Sequence, residues 1–310
     1  MDAPLSSEEW RRLFRELFSK GIWVRMWEPL CFHTTIRIGG QAALFAYPPD
    51  AQKLVEVLSV LRNTNVPFKV LGAGSNTVPP DGNLEMAVVS LSHMSRLDIS
   101  DEYVTAEAGV PLFKLVNTCM VEGLSGLEFL AGIPGSVGGA VRMNAGAFGY
   151  SVAHALVEVC VLDEKGSRFT LTPQEAKFGY RRSVFFEKDW TVISAKFRLA
   201  RSSPTTVRKS MLSYLEKRLA TQPLELPSAG SVFKRPRDGF YVGKAVEELG
   251  LKGYRIGGAT ISERHAGFIV NLGGATYEDV VALVRLVKKR IKERYDVDLE
   301  TEVEFWGEPP

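Results

Sequence analysis

Residues 126–149 have the sequence GLEFLAGIPGSVGGAVRMNAGAFG, and this stretch decides which fold the chain can adopt. It is dense in glycine and has almost no charge. Glycine in a helix or strand lowers stability by about 0.5–1 kcal/mol relative to alanine, so this many glycines indicate a structural or functional requirement for them. Close contact between the backbone and a large, flat or phosphorylated ligand would provide one. A buried glycine-rich crossing of strands is the alternative.

A second glycine turn lies upstream at residues 71–76, LGAGSN, directly after an apolar stretch that predicts a strand. Its glycines let consecutive backbone N–H groups converge on an anion, and Ser75 and Asn76 add side-chain donors. The turn is not a dinucleotide fingerprint, because position 77 is Thr, and it lacks the Gly-Lys-Ser of a Walker loop. A phosphate cradle and a plain glycine hairpin both stay open on these residues alone.

Hydrophobic periodicity around these two segments predicts a mixture of helices and strands. One helix begins after Ser6–Ser7 and ends before Gly21, a second begins at Asp50, and a third runs from Pro111 to Gly123. The first helix has an apolar stripe made of Trp10, Leu13, Phe14, Leu17 and Phe18. The predicted strands are VPFKVL (66–71), AVVSL (87–91), YVTAEAGV (103–110), ALVEVCVLD (155–163) and TVISAKFRLA (191–200).

The last third of the chain is predicted to be a separate unit. Ser203-Pro204 caps a polar helix that runs to about Gln222, and prolines and a glycine at 223–230 then break the pattern. Beyond this break we predict a helix at 242–249, a strand at 268–271, a long helix from Thr276 and a closing strand LETEVEFW (299–306). The chain therefore divides into a helical extension (1–20), a mixed domain (21–200) and a C-terminal domain (201–310).

Composition excludes several classes of function. The 310 residues include 38 Lys and Arg against 36 Asp and Glu, a net charge of +2 with no long basic run, which argues against nucleic-acid binding. The three cysteines are widely spaced and the four histidines show no ligand spacing, so we expect reduced thiols and no metal. No stretch approaches ~18 apolar residues, so we expect no membrane span and a cytoplasmic protein.

Seven motifs in order resemble the UDP-N-acetylenolpyruvoylglucosamine reductase family, over roughly residues 20–307. They are CFHTTIRIGG (31–40), LGAGSN (71–76), GLEFLAGIPGSVGGAVRMNAGAFG (126–149), FGYRRSVFF (178–186), SAGSVFKRP (228–236), GLKGYRIGGATISERHAGFIVN (250–271) and LETEV (299–303). The resemblance implies an α+β protein: an FAD-binding domain of the p-cresol methylhydroxylase type (21–200) and a smaller substrate-binding domain (201–310). The short run from Ser228 to Gly253 resembles the compact second subtype.

The resemblance also implies an activity, that of an NADPH-dependent, FAD-containing UDP-N-acetylmuramate dehydrogenase. NADPH as co-substrate would reduce FAD, and the enolpyruvyl C=C bond of UDP-N-acetylglucosamine enolpyruvate would then be reduced to give UDP-N-acetylmuramate for peptidoglycan. Such an enzyme is expected to be a monomer whose partner is a UDP-sugar, serving cell-wall growth, cell shape and cell division. The alternatives are another flavin oxidoreductase of the same FAD fold, acting on a different substrate, and a nucleotide-binding or scaffold protein that has kept the fold without the activity.

Three catalytic residues follow from the resemblance. Hydride addition leaves negative charge beside the substrate carboxylate, so the reaction needs a fixed cation there and a proton donor over the adjacent carbon. By resemblance Ser231 is the proton donor, Arg181 the active-site arginine and Glu302 the third catalytic residue. On the residues alone, the alternatives are a turn serine, an exposed arginine pair at 181–182 and a solvated strand face at 300–304.

The binding residues that the resemblance implies form two sets. For FAD they are Gly72, Ala73, Gly74, Ser75, Asn76, Gly132, Ile133, Pro134, Gly135, Ser136, Gly138, Gly139, Ala140, Asn144, Ala145 and Gly146. For the UDP-sugar they are Tyr180, Lys234, Arg235, Lys244 and Arg255, for which a solvated basic face is the alternative. His265 is interpreted as a positional residue or as one that packs on the flavin side.

The chain departs from the family pattern at two places. Thr77-Val78-Pro79-Pro80 follows the LGAGSN turn, where the family usually continues with Leu-Leu-Val. Arg142 stands in the glycine-rich segment at a position where a bulky neutral residue is commoner.

Overall fold

The computed structural model describes residues 5–310. Within that range the α-helices are α1 Ser7–Ser19, α2 Ala51–Asn63, α3 Leu112–Val121, α4 Val137–Arg142, α5 Pro204–Thr221, α6 Val242–Glu248 and α7 Tyr277–Tyr295. The strands of the first half are β1 Trp23–Pro29, β2 Gln41–Tyr47, β3 Phe68–Leu71, β4 Thr77–Val78, β5 Asn83–Ser90, β6 Leu97–Ser100, β7 Tyr103–Glu107, β8 Leu124–Ser125, β9 Gly146–Ala147 and β10 Tyr150–Ser151. Those of the second half are β11 Leu156–Leu162, β12 Arg168–Leu171, β13 Thr191–Arg198, β14 Ala200–Arg201, β15 Ser228–Ser231, β16 Arg255–Ile256, β17 Ala259–Ile261, β18 Phe268–Asn271 and β19 Glu304–Phe305.

The chain forms two compact units, and each contains more than one stretch of sequence. Of the described residues, unit 1 consists of 5–28, 42–73 and 85–216, and unit 2 consists of 29–41, 74–84 and 217–310. This division differs from the continuous ranges that the sequence predicts, because residues 29–41 and 74–84 pack with the C-terminal part. The hydrophobic core of unit 2 contains Ile36, Ile38 and Val78. Local hydrophobic periodicity does not indicate that these residues pack with the C-terminal part of the chain.

Unit 1 contains two main sheets with one hydrophobic core. The first has the strand order β1-β2-β5-β3, with β3 and β5 parallel. The second is antiparallel with the order β12-β11-β13-β7-β6. Apolar side chains of α1, α2, α3 and α4 join the residues of both sheets in the core. The glycine-rich segment 126–149 lies in this unit and contains α4.

Unit 2 is built around a four-stranded antiparallel sheet, in the order β15-β18-β17-β16. Helix α7 packs its buried stripe of Val280, Leu283, Val284, Val287 and Ile291 into the core of this unit. Thr276 caps α7 by accepting from the Asp279 N–H, and Asp279 in turn accepts from the Thr276 N–H. The predicted long helix is therefore confirmed together with its starting residue.

Other local predictions are also confirmed by the capping residues. Ser6 caps α1 in a reciprocal capping box with Glu9, and Asp50 caps α2. Ser203 accepts from the Thr206 N–H at the start of α5. Two details differ: Pro111 precedes the first helical residue of α3 instead of occupying it, and Phe18 is 64 % exposed although the sequence pattern puts it on the apolar stripe. Residues 1–4 of the predicted extension lie outside the described residues.

The predicted closing strand 299–306 is wrong in its extent. Only Glu304–Phe305 forms a strand, β19, which pairs in parallel with β4. Upstream, Thr301 forms an isolated antiparallel bridge with Phe233. The segment changes partner between these two pairings, so one continuous strand cannot form. The departure at 77–80 fits this arrangement, because Thr77–Val78 is β4 and the Pro80 carbonyl accepts from the Gly40 N–H at 2.8 Å.

Three further observations concern the function classes excluded above. None of the helices within residues 5–310 combines the length and the apolar character needed to cross a bilayer. All three cysteines are free thiols, and burial raises the pKa of Cys119 to about 12. Across the same residues, no three His, Cys, Asp or Glu side chains are grouped so that they could hold a metal ion.

We predict that α1 contributes to the stability of unit 1 chiefly through Trp10. Its ring is 1 % exposed, and its Nε1–H donates to Glu85 Oε2 at 2.7 Å. Trp10→Ala should lower the free energy of unfolding by about 3–5 kcal/mol, because it removes a large buried side chain and leaves a cavity. The matched control Phe18→Ala, on the exposed side of α1, should change it by under ~1 kcal/mol. Urea denaturation measures both, and equal effects would show that α1 is not docked through Trp10.

Candidate active site

In unit 1 the two glycine segments approach each other closely. A Cβ on Gly72 would lie 2.5 Å from Ser136 Oγ, so the absence of a side chain at 72 permits the contact. Ser136 is buried, and its hydroxyl accepts from the Gly139 N–H at 3.4 Å. The predicted FAD-binding residues of 72–73 and 132–140 are therefore brought together around Ser136.

Several backbone donors in these segments are available to a ligand. Within residues 5–310, no oxygen accepts a hydrogen bond from the N–H groups of Gly72, Ala73, Gly135 or Ser136. Ser136 is buried, Gly72 and Gly135 are half-buried and Ala73 is exposed, so a ligand can reach these donors from outside the core. Adjacent backbone N–H groups are a common way to hold phosphate oxygens. These residues therefore fit the diphosphate of FAD.

The glycines of the segment fall into two kinds. A Cβ on Gly138 would lie 2.7 Å from the Ala108 Cβ and 3.2 Å from its carbonyl oxygen, so this glycine is required by packing. A Cβ on Gly139 would meet only Ser136 Oγ, at an ordinary 3.5 Å. The protein itself has room for a Cβ at 139, so packing does not require glycine there. Packing therefore accounts for Gly138, whereas ligand binding at Gly139 stays a prediction.

Arg181 lies in a tight turn that the sequence motif FGYRRSVFF forms. Gly179 and Arg182 exchange backbone hydrogen bonds of 2.9 and 3.3 Å, with Tyr180 and Arg181 between them. Arg181 has a φ of +52° at the third position of the turn, which usually takes glycine. A non-glycine residue in this region costs about 1–3 kcal/mol and persists where its surroundings hold it, often at functional sites.

The two adjacent arginines have different surroundings. Arg181 Nη2 donates to the Gly146 carbonyl at 3.0 Å, so its guanidinium is directed to the glycine-rich segment. Arg182 pairs with Glu187 at 2.5 Å, and its side chain is 70 % exposed. The exposed salt bridge that is the alternative interpretation therefore describes Arg182. Arg181 is the residue whose position fits a site.

In unit 2, Ser231 and Glu302 lie on adjoining segments. Ser231 ends β15 opposite Phe268, after an irregularity at Gly230, whose φ is +81°. The Glu302 N–H donates to the carbonyl of Val232, the residue after Ser231, at 2.8 Å. Backbone pairing therefore brings these two predicted catalytic residues close together in the fold.

The three glutamates of LETEVE are not equivalent. Glu300 is highly exposed and pairs with Lys234 at 3.1 Å, and Glu304 lies in β19. Glu302 is partly buried, and its carbonyl accepts from Asn76 Nδ2 at 2.9 Å while its N–H bonds to Val232. Its backbone is thus fixed from both sides. Glu304 is also half-buried and its N–H donates to the Asn76 carbonyl at 2.9 Å, so these contacts set Glu300 apart and the choice of Glu302 over Glu304 stays a prediction.

Two of the predicted FAD-binding residues form hydrogen bonds to other residues of the protein through their side chains. Asn144 donates from Nδ2 to the Gly179 carbonyl at 2.9 Å and accepts from the Ala153 N–H at 3.2 Å. The Asn76 side chain holds Glu302, as described above. These amides position other site residues, which the sequence did not predict. FAD binding at Asn76, Asn144 and the other residues of that set stays a prediction.

Thr35 is a site-related residue that the sequence analysis missed. Its Oγ1 donates to the Ser228 carbonyl at 2.6 Å, and its N–H donates to the Gly74 carbonyl at 3.1 Å. It therefore joins the LGAGSN turn to β15, the strand of Ser231. Its motif CFHTTIRIGG is recognisable in the sequence, but nothing in that pattern assigns a role to one threonine. The buried carbonyls that it binds are visible only in the structure.

The predicted substrate residues lie at exposed or half-exposed positions. Tyr180 is 56 % exposed, and Lys234 pairs with Glu300. The other three contacts are Arg235 over the Tyr241 ring at 4.8 Å, Lys244 with Glu248 at 3.8 Å, and Arg255 Nε with the Gly257 carbonyl at 2.7 Å. Their role in binding stays a prediction.

His265 has the surroundings of a packing residue. Burial lowers its pKa, because it disfavours the charged form of the ring. The Gly267 N–H donates to Nδ1 at 3.1 Å, and the ring packs edge-on against Phe268 at 5.0 Å.

Comparison with known proteins gives the class of this chain. The model of an FAD binding domain matches residues 42–172. The model described as UDP-N-acetylenolpyruvoylglucosamine reductase, C-terminal domain, matches residues 222–306. The protein is an FAD-dependent oxidoreductase, and the predicted α+β fold class, with an FAD-binding domain before a smaller C-terminal domain, is confirmed. Both matches fall within the predicted ranges 21–200 and 201–310, whose boundaries stay predictions.

Relatives over the whole length give the particular family. UDP-N-acetylenolpyruvoylglucosamine reductase of Thermotoga sp. (strain RQ2) is 46 % identical over 95 % of this chain and 97 % of its own length. The enzyme of the same name from Fervidobacterium nodosum is 43 % identical over 97 % and 98 %. The crystal structure of UDP-N-acetylenolpyruvylglucosamine reductase from Thermus caldophilus superposes with a TM-score of 0.78 at 35 % identity, covering 92 % of this chain and 98 % of that one. This chain belongs to the UDP-N-acetylenolpyruvoylglucosamine reductase family, as its motifs predict.

We predict that Gly139→Val abolishes FAD retention without loss of stability. An added Cβ meets no protein atom closer than ordinary contact, but the valine side chain would occupy space that we assign to the cofactor. Visible flavin absorbance after gel filtration and thermal unfolding of the flavin-free protein measure the two effects. The control Gly138→Ala should lower the unfolding temperature of the flavin-free protein, because its Cβ collides with Ala108. Normal flavin content in Gly139→Val would show that the FAD lies elsewhere.

Proposed function

We propose that this protein reduces the enolpyruvyl C=C bond of UDP-N-acetylglucosamine enolpyruvate with NADPH, forming UDP-N-acetylmuramate for peptidoglycan synthesis. The observation that carries the proposal is the pairing that places Ser231 beside Glu302, in a chain that is 46 % identical to a reductase of this name over nearly its full length. The chemistry that FAD supplies when bound is hydride transfer, from NADPH to the terminal carbon of the enolpyruvyl group. The N–H groups of Gly72, Ala73, Gly135 and Ser136 would hold its diphosphate.

Arg181 is proposed to bind the substrate carboxylate. Hydride addition spreads negative charge from the substituted carbon into this carboxylate, and a guanidinium stays charged throughout the reaction. Its planar fork matches the two oxygens of a carboxylate. The fixed turn and the contact with Gly146 hold the group in place before the substrate arrives, so little reorganisation is needed when the charge develops.

Ser231 is proposed to give its hydroxyl proton to the substituted carbon. A serine is a weak acid in water, but a carbanion-like carbon is more basic, so a positioned hydroxyl can complete the transfer. Gly230, with its positive φ, and the irregular pairing of β15 give the backbone just before Ser231 a local bend. Glu302 is proposed to stabilise the developing enediolate from the neighbouring segment.

Tyr180, Lys234, Arg235, Lys244 and Arg255 are proposed to bind the UDP-sugar. Four of them are cations, which suit a diphosphate. Lys234 follows Ser231 by three residues, so a ligand that reaches this lysine also lies near the proposed proton donor. We further propose that the enzyme acts as a monomer in the cytoplasm.

The test of the whole proposal is a two-step absorbance experiment on the purified flavoprotein. NADPH should bleach the bound flavin, and UDP-N-acetylglucosamine enolpyruvate should restore its colour. A flavin that NADPH bleaches and this nucleotide does not re-oxidise would contradict the proposed substrate.

We predict that Ser231→Ala leaves flavin reduction by NADPH near normal, because that half-reaction needs no proton on the substrate carbon. Re-oxidation by the substrate should slow by about 10²–10⁴, or roughly 3–5 kcal/mol of barrier, the scale of a lost general acid. Ser231→Cys keeps a transferable proton and should recover part of the rate. Stopped-flow absorbance of each half-reaction decides, and slow reduction with normal re-oxidation would make Ser231 a cofactor-side residue.

Arg181→Ala should weaken substrate binding and slow re-oxidation together, because a carboxylate clamp acts in the ground state and in the transition state. Substrate titration of the oxidised protein by calorimetry gives the dissociation constant, and stopped flow gives the rate. Arg182→Ala is the matched control, since its side chain is exposed and paired only with Glu187 among the salt bridges of the described residues. Unchanged binding in Arg181→Ala would contradict the role proposed for Arg181.

A further inference from the structure

Arg142, the cation that departs from the family pattern, contacts the segment that follows the Arg181 turn. Its Nη1 donates to the Phe185 carbonyl at 2.5 Å, and its guanidinium lies over the Phe186 ring, 4.5 Å from the centroid. The carbonyl of Arg142 also accepts from Ser183 Oγ at 2.5 Å. Three successive contacts therefore connect one residue at the end of α4 with residues 183–186.

The other side of the turn is held by residues close to Arg142 in sequence. Asn144 Nδ2 donates to the Gly179 carbonyl, and the Arg181 guanidinium reaches the Gly146 carbonyl. The turn 179–182 is thus fixed before and after Arg181 by residues 142–146. All of these residues lie in unit 1.

The turn needs such support because of the backbone of Arg181. Its positive φ is unfavourable for a residue with a Cβ, so other turn conformations are accessible unless contacts oppose them. Ser183 and Phe185 are almost fully buried, which makes the segment after the turn a firm anchor. A hydrogen bond from a charged donor is about twice as strong as a neutral one, and the ring face of Phe186 adds a cation–π contact.

We propose that Arg142 is a positioning residue that holds the turn 179–182 in the conformation that directs Arg181. Arg142 touches neither substrate nor flavin in this proposal and acts only through Arg181. The inference rests on the proposed role of Arg181 as the carboxylate-binding residue. A bulky neutral residue at 142 could pack against Phe186, but it could not donate to the Phe185 carbonyl.

A double-mutant cycle tests the inference. Arg142→Met keeps the length and packing of the side chain and removes its charge and its donors. Calorimetry of the oxidised flavoprotein gives the dissociation constant for UDP-N-acetylglucosamine enolpyruvate, and stopped flow gives the rate of re-oxidation. Arg142→Met alone should weaken binding and slow re-oxidation about tenfold each, while flavin content and reduction by NADPH stay normal. In the Arg181→Ala background the same change should alter either quantity less than about twofold.

The controls separate positioning from general stability. If Arg142 only stabilised the fold, Arg142→Met would lower the unfolding temperature equally in both backgrounds. The unfolding temperature therefore does not test the positioning role, and binding and re-oxidation do. Arg182→Ala should change neither binding nor re-oxidation. Arg142→Lys, which keeps a cation over Phe186 and one donor, should retain most of the affinity. Arg142→Leu, which also lacks the charge and the donors, replaces Arg142→Met in the cycle if the methionine variant does not fold.

The outcomes distinguish this inference from the role of Arg181 itself. If Arg181→Ala impairs binding and the loss from Arg142→Met adds to it in full, the positioning role is overturned and the role of Arg181 stands. An Arg142→Met variant with normal binding and re-oxidation likewise overturns the positioning role and leaves that of Arg181 intact. If Arg181→Ala changes nothing, the proposed role of Arg181 fails and the positioning inference fails with it.

Discussion

The closing segment of the chain bonds to two different partners, and the arrangement of the candidate site in unit 2 depends on this change. Residues 300–302 pair with 232–234, through the Lys234 N–H to the Glu300 carbonyl and the Glu302 N–H to the Val232 carbonyl. Residues 304–306 then pair with 76–78, beginning with the Glu304 N–H to the Asn76 carbonyl. Glu302 lies where the partners change, so both partners fix it. A continuous strand in one sheet would place the three glutamates on one uniform face, as the sequence pattern suggests.

Those parts of the fold that depend on local chemistry were predictable. Ser6, Asp50 and Thr276 start their helices because each side chain accepts from a backbone N–H three residues later, a contact within the reach of a sequence pattern. The extent of the closing strand was not predictable, because it depends on pairing with residues more than sixty positions away in sequence. The same reason explains why 29–41 and 74–84 pack with the C-terminal core, which no local periodicity indicates.

In the candidate site, too, the role of single residues depends on contacts with distant parts of the chain, which the sequence pattern does not predict. Glycine density located the segment 126–149, but sequence could not separate a glycine required by packing, such as Gly138, from one that leaves space for a ligand, such as Gly139. That distinction depends on Ala108, which lies on another element. Likewise, motif register alone favoured Arg181 over Arg182. The structure adds the physical difference, because only Arg181 reaches the glycine-rich segment while Arg182 pairs at the surface.

Arg181 illustrates why a site residue can oppose local stability. Glycine would fit its backbone conformation better, since φ is +52° at a turn position that favours glycine, but glycine has no guanidinium. The unfavourable conformation therefore has to be offset by contacts that do not involve the reaction. Asn144 supplies one before the turn, and Arg142 with Ser183 supplies others after it. Asn144 and Arg142 belong to the glycine-rich segment 126–149, part of which we assign to the cofactor. The same stretch of chain therefore also fixes Arg181, the cation that we assign to the substrate.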